Sequence, residues 1–212
     1  MGTQPEEQGV VFVIDDDALL RDALSRLFRS IGLQVVTFAS ASDFLNHKLP
    51  PSPSCLVLDV RLPGLSGIDF QRELAKADID IPIVFMTGHG DIPMSVRAMK
   101  AGAIEFLPKP FRDQDILDAV QEGLARDRTR RKRAIDISKL KNSYDSLTER
   151  EQEVMTLVAS GLMNKQIAAN LSVSEVTVKF HRSNVMRKMK AKSLAELVRM
   201  AESLGLQRDR AS

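Results

Sequence analysis

Through residue 125 the chain alternates between short, almost unbroken apolar runs and stretches where apolar residues recur every three to four positions. The first pattern predicts strands covered on both faces, the second amphipathic helices. Val10–Ile14 is the first strand. Asp17 can cap a helix carrying Leu20, Ala23, Leu24, Leu27, Phe28 and Ile31, stopped by Gly32. Val35–Phe38 reads as a strand and Ala41–Lys48 as a short helix, followed by a Pro50-Pro51-Ser52-Pro53 loop. Cys55–Leu58 is a third strand, Pro63–Gly67 a turn, and Ile68–Lys76 a helix. Ile81–Met86 is a fourth strand ending at Thr87, and the loop Gly88-His89-Gly90-Asp91 leads to a helix from Pro93 toward Gly102. Ala103–Leu107 is a fifth strand, ending in Pro108-Lys109-Pro110. A fifth helix opens near Arg112 and carries Ile116, Leu117, Val120 and Leu124. Five strand–helix units in series predict an α/β fold, a doubly wound parallel sheet with helices on both faces.

The pattern then changes. Arg126–Arg133 is strongly basic and lacks Gly and Pro, so it can prolong the fifth helix as an exposed, solvated rod, with a direct DNA-contacting arm as the alternative; Ile137, Leu140 and Tyr144 form a weaker stripe. Beyond residue 145 only helical periodicity remains. Thr148-Glu149-Arg150-Glu151 is a capping box opening a helix that Gly161 ends. Lys165–Leu171, the turn Ser172-Val173-Ser174, and a helix from Ser174 to about Met189 form a helix-turn-helix pattern. A last helix spans about Ser193 to Leu204, before Gly205. The expected organisation is therefore an α/β domain over 10–125, a basic and largely helical linker over 126–144, and an all-α four-helix domain over 145–206.

Charge supports that division. Residues 1–125 carry a net −7 and residues 126–212 a net +9, a split hidden within the overall +2. An acidic half joined to a basic half points to a polyanionic partner for the second. The single cysteine, Cys55, excludes an internal disulfide framework and reads as a small buried apolar residue. With no signal-peptide pattern and no apolar run long enough to span a bilayer, the expectation is a cytoplasmic protein with no membrane partner.

The candidate chemistry sits at strand ends. Asp15 and Asp16 follow the first strand, Asp59 the third, Thr87 the fourth and Lys109 the fifth, all on one edge of a parallel sheet, where ligands bind in such folds. Crowded carboxylates repel, so either one is protonated or a cation lies among them. A hard divalent ion, Mg2+, suits oxygen ligands. Asp59 is a nucleophile candidate able to form an acyl phosphate; Asp15 and Asp16 would hold the metal, Lys109 would pair with phosphate oxygens, and Thr87 would donate its hydroxyl. A phosphatase or mutase with an aspartate nucleophile on the first strand is the rival reading. Such enzymes resemble Asp-x-Asp-x-Thr, whereas Asp15-Asp16-Asp17-Ala18-Leu19 lacks the threonine and no large substrate cap is present.

In Val13–Asp17, Leu58–Gly64, Val84–Gly88 and Phe106–Phe111 the first half resembles a response-regulator receiver domain. The resemblance implies a flavodoxin-like fold, Asp59 as phosphoacceptor, Asp15, Asp16, Asp59 and the Arg61 carbonyl as the Mg2+ site, and Thr87, Phe106 and Lys109 as switch residues. It further implies a cis Lys109–Pro110 peptide. Arg61 and His89, two residues beyond Asp59 and Thr87, flank the site and are expected to influence hydrolysis of the acyl phosphate.

In the second half, Val178, Val185 and Met189 share one face of the second helix-turn-helix helix, with His181 at its edge making a structural hydrogen bond. The opposite face presents Lys179, Phe180, Ser183 and Arg187, and an exposed phenylalanine among basic residues suits contact with a thymine methyl. Leu147–Glu151, Gly161–Ala168 and Val176–His181 resemble the LuxR-type DNA-binding domain. Expected DNA contacts are Lys165, Thr177, Lys179, Phe180, Arg182, Ser183 and Arg187. Together the halves resemble a FixJ-like two-component response regulator. That resemblance implies a sensor histidine kinase, double-stranded DNA and RNA polymerase as partners, a homodimer when phosphorylated, and no enzymatic activity beyond self-directed phosphoryl transfer and slow dephosphorylation. The alternative is a receiver-controlled interaction protein whose helical module binds protein instead of DNA.

Overall fold

In a computed structural model the described residues are 8–62, 64–88 and 92–206, so the expectation for His89 lies outside them. The chain divides into two compact units, with the boundary between Arg131 and Lys132. Strands β1 (Val10–Ile14), β2 (Gln34–Phe38), β3 (Ser54–Asp59), β6 (Ile83–Thr87) and β7 (Glu105–Pro108) form one parallel sheet in the order β2-β1-β3-β6-β7. The central strands β1, β3 and β6 are buried along their whole length, which explains why they read as continuous apolar runs.

Two cores sandwich the sheet. Phe12, Ile14, Leu56, Leu58 and Phe85 point to one face, against Phe44 and Phe70. Val11, Val13, Val57, Val84 and Met86 point to the other, against α1 (Ala18–Ser30) and the start of α5 (Asp113–Asp145). Asp17 caps α1 as its position suggested, accepting from Leu19 and Leu20.

Some boundaries differ from expectation. Helix α2 is Ala41–Leu45, so Lys48 lies beyond it. β6 starts at Ile83 because Pro82 has no N–H to give the sheet, although its carbonyl still accepts from Leu56. The segment after β3 is more than a turn: β4 (Arg61–Leu62) and β5 (Leu65–Ser66) form a two-stranded antiparallel pair before α3 (Gly67–Lys76), with Gly64 at φ +83° where only glycine is unstrained. Helix α4 is Ile92–Lys100, starting one residue before Pro93.

The basic segment continues α5 and is exposed as expected, apart from Asp127 and, in part, Arg131. Asp127 is fully buried, and its carboxylate accepts from the Ser54 backbone N–H (2.8 Å), from Arg131 (2.6 Å) and from Arg130. Arg131 also donates to the Pro51 carbonyl, and Arg130 reaches Asp80. The carboxylate thus holds the first residue of β3 against α5. One turn earlier, Gly123 sits where an added Cβ would lie 2.6 Å from the Cys55 sulfur, so glycine is needed for the close approach. Burial pushes the Cys55 thiol pKa upward, consistent with an inert packing role.

In the second unit, α6 (Glu149–Ala159), α7 (Asn164–Leu171), α8 (Glu175–Lys188) and α9 (Leu194–Ser203) enclose Val154, Met155, Val158, Ile167, Val178, Val185, Met189, Leu197 and Ala201. Leu140 and Tyr144 of α5 pack on this core. The Thr148–Glu151 capping box is formed, and buried Glu151 also pairs with Lys188 at 2.6 Å. Burial opposes ionisation of Glu151, but the Lys188 and Thr148 bonds outweigh it and hold its pKa below the usual value.

Removing the Asp127 carboxylate strands a buried N–H and leaves Arg130 with Asp80 and Arg131 with the Pro51 carbonyl as their remaining partners. Since both arginines are partly solvated, the loss is set mainly by the stranded amide. Asp127→Ala is expected to destabilise the first unit by about 1–3 kcal/mol. Urea titration should show its transition moved to lower denaturant while that of the second unit stays in place.

Candidate functional site

The C-terminal ends of β1, β3, β6 and β7 converge because parallel strands in register finish together: Ile14 pairs with Leu58, Asp59 with Met86, and Thr87 with Pro108. Asp15 and Asp59 are buried and Asp16 is exposed, and each can offer a carboxylate oxygen such that the three lie within 4.8 Å of one another. Lys109 reaches between them, with Nζ 2.7 Å from Asp15 Oδ2 and 2.6 Å from Asp59 Oδ2. The remaining oxygens accept backbone donors, Asp15 Oδ1 from Asp17 N–H and Asp59 Oδ1 from Arg61 N–H, both at 2.9 Å. The site therefore combines two buried carboxylates, a third at its rim and one shared ammonium group.

The electrostatics follow from burial and pairing. Burial drives the Asp15 pKa up, and the Lys109 bond and the Asp17 amide only partly offset it. Burial alone would lower the Lys109 pKa, but its bonds to Asp15 and Asp59 raise it above the usual lysine value, so the ammonium stays charged. The Lys109–Pro110 peptide is cis, and the Lys109 N–H donates to the Thr87 carbonyl at 2.7 Å, tying the ends of β6 and β7 together. Thr87 is buried. Phe106 is half-buried, with its ring 6.1 Å from that of Phe85. Arg61 lies on the rim in β4.

One residue at this site escaped the sequence reading. Arg21, in the second turn of α1, donates to the Asp15 carbonyl at 2.7 Å and steadies the strand end that presents the acidic pair. The signal available was an arginine at helical spacing from Asp17, indistinguishable from an ordinary surface cation.

In the second unit Ser172 takes the left-handed conformation between α7 and α8, and the Ser174 hydroxyl caps α8 by accepting from Thr177 N–H. Val178, Val185 and Met189 are buried, while Lys179, Phe180, Ser183 and Arg187 face solvent. Lys165 on α7 is also exposed. Thr177 is half-buried and shares a hydroxyl–hydroxyl bond with Ser174. Arg182 donates to Asn164 Oδ1 at 2.9 Å and so braces α8 against α7. The hydrogen bond expected of His181 is not found at Nδ1, which is buried without a partner among the described residues.

Comparison with known proteins matches residues 11–121 to the response regulator receiver domain and residues 145–201 to the luxR family of bacterial regulatory proteins. Nodulation protein W of Bradyrhizobium diazoefficiens is 57% identical over 204 residues, covering 96% of this chain and 90% of that protein. Among solved structures, that of the response regulator StyR is 53% identical with a TM-score of 0.80, covering 92% of this chain and 98% of that one. Full-length FixJ from B. japonicum is 40% identical with a TM-score of 0.54, covering 94% and 98%.

Lys109 lowers the Asp15 pKa by both hydrogen bond and charge. Lys109→Gln is therefore expected to raise it further, so that Asp15 stays protonated to higher pH. Carbon-detected NMR titration of the aspartate carboxyls, with divalent ions removed, checks the direction.

Proposed function

The chain belongs to the response regulators that join a receiver domain to a LuxR-type DNA-binding domain, and from that premise we propose that phosphoryl transfer to Asp59 controls how it binds DNA. It is a DNA-binding two-component regulator and not a typical enzyme, with a histidine kinase and DNA as the partners its two domains imply. The observation that carries the proposal is the placement of Asp59, buried, beside Asp15 and under the Lys109 ammonium.

The donor set fits Mg2+: oxygen ligands only, a net negative cluster, and one exposed carboxylate leaving room for water. Asp15, Asp16 and Asp59, with the Arg61 carbonyl, would hold it, and it would neutralise charge on the transferred group. An Asp59 carboxylate oxygen attacks phosphorus, the phosphorus–nitrogen bond to the donor histidine breaks, and the departing imidazole keeps that electron pair and takes a proton. Lys109 then turns from the carboxylates to a phosphoryl oxygen, and the Thr87 hydroxyl donates to another. Water later hydrolyses the acyl phosphate, with Arg61 at the rim affecting its access.

The phosphoryl group adds roughly −1.5 to −2 charge. Lys109 and Thr87 moving toward it displace the ends of β6 and β7, and Phe106 turns inward against Phe85. The surface of α4, β7 and the start of α5 then pairs with a second copy, and the exposed Val96 and Met99 of α4 favour that association. The dimer presents two α8 helices to duplex half-sites and acts on RNA polymerase from there, in the cytoplasm. Among the described residues no helix is long and apolar enough to cross a membrane. On each copy Lys179, Phe180 and Ser183 face base edges, whereas Arg187 and Lys165 meet phosphates.

Intact-mass measurement with a small phosphodonor and Mg2+ should show a single phosphate adduct that chelation or Asp59→Asn removes, and sedimentation should show the adduct-bearing chain as a dimer. Equal labelling of Asp59→Asn would refute the assignment. For the output, Lys179→Ala should weaken the preferred duplex by roughly 1–3 kcal/mol more than random DNA. Arg187→Ala should weaken both alike and flatten the salt dependence in titration.

A further inference from the structure

The outward face of α8 carries an apolar residue that the basic pattern around it conceals. At roughly 100° per residue, Val176, Phe180, Ser183 and Arg187 fall within roughly 60° of one another, opposite Val178, Val185 and Met189. The exposures agree, with Val176 75% and Phe180 63% exposed while Val178 and Val185 are fully buried. A single exposed apolar residue is ordinary. Here two lie one turn apart on the same helix face, and a β-branched residue in the first turn contributes neither packing nor helix propensity. Lys179 and Arg187 flank them on the exposed surface. An apolar pair framed by cations matches the major groove, where thymine methyls lie between rows of phosphates. The first turns of the second helix of a helix-turn-helix are also the part that meets base edges.

We infer that Val176 is a specificity-determining residue that, together with Phe180, reads two thymine 5-methyl groups in each half-site. The inference rests on the DNA-binding reading of this unit and goes beyond it by naming the base and the group recognised. Residues four apart on a helix are about 6 Å apart along its axis. Base pairs are stacked about 3.4 Å apart, so the two thymines lie within about two base pairs of each other, on either strand. Val176 makes no ionic contact, so its contribution distinguishes sequences without adding to non-specific affinity.

The test uses the full chain, phosphorylated with a small phosphodonor in the presence of Mg2+. Duplexes are first selected from a random pool, and each thymine of the selected half-site is then replaced by deoxyuridine, which removes only the methyl. Wild type should lose about fourfold in affinity at each of two nearby positions, the weight of one buried methyl group. Val176→Ser and Val176→Gly, which carry no side-chain methyl group, should lose the penalty at one of those positions, keep it at the other, and bind random duplex as wild type does. A selected half-site without nearby thymines would overturn the inference. So would uracil substitution without effect, or Val176 variants that keep both penalties or weaken random DNA equally. Selection of no duplex at all would overturn the DNA reading itself, a result distinct from each of these.

Discussion

The organisation of the first unit depends on one shared counter-ion. Asp15 and Asp59 are both buried and close enough to repel, and the Lys109 ammonium lies within 2.7 Å of each. Burial and mutual charge push the Asp15 proton affinity up, and Lys109 is the main group acting against this. A lysine suits the task because its charge is compact and its stem flexible, so it can follow negative charge as that charge moves. The backbone around it is firmly placed: the Lys109 amide is bonded to Thr87, and Asp15 and Asp59 accept from amides two residues on. The side-chain cation is thus held within a frame of backbone hydrogen bonds.

The same economy governs the rest of the chain. Asp127 joins the N-terminal end of β3 to α5, so β3 is anchored at Ser54 by one carboxylate and ends at Asp59 in another. In the second unit Arg182 braces α8 against α7 through Asn164, and Ser174 caps α8. These contacts set the orientation of α8 and leave its outward residues free of the core.

Much of this was legible from the residues because it is local or strictly periodic. Fully buried parallel strands appear as apolar runs, and the polar and charged residues of the candidate site stand where those runs stop, so Asp15, Asp59, Thr87 and Lys109 could be assembled on one edge from the sequence. Capping residues such as Asp17, Thr148 and Ser174 marked helix starts through the same local hydrogen bonds that the structure contains. What escaped was non-local or disguised. Asp127 sits in a run of arginines and reads as a surface acid, because its partner Ser54 is 73 residues away. Arg21 looks like any helix-surface cation until the Asp15 carbonyl is placed beside it. The exposure of Val176 was hard to foresee because α8 carries apolar residues on both sides, so the periodicity that separates core from solvent is weak there. His181 shows the reverse, a polar residue expected to be satisfied that lacks a partner at Nδ1 among the described residues.

The central claim is that chemistry at Asp59 is felt by the DNA-reading unit. The most direct measurement is the affinity of one preparation of the full chain for a selected duplex, before and after phosphodonor treatment, at fixed salt. If phosphorylation joins two chains, each contributing one α8, the second contact is made at high effective concentration. Affinity should then rise by roughly 100-fold, with no change in the preferred sequence. An affinity that stays the same while the acyl phosphate is demonstrably present would contradict the account.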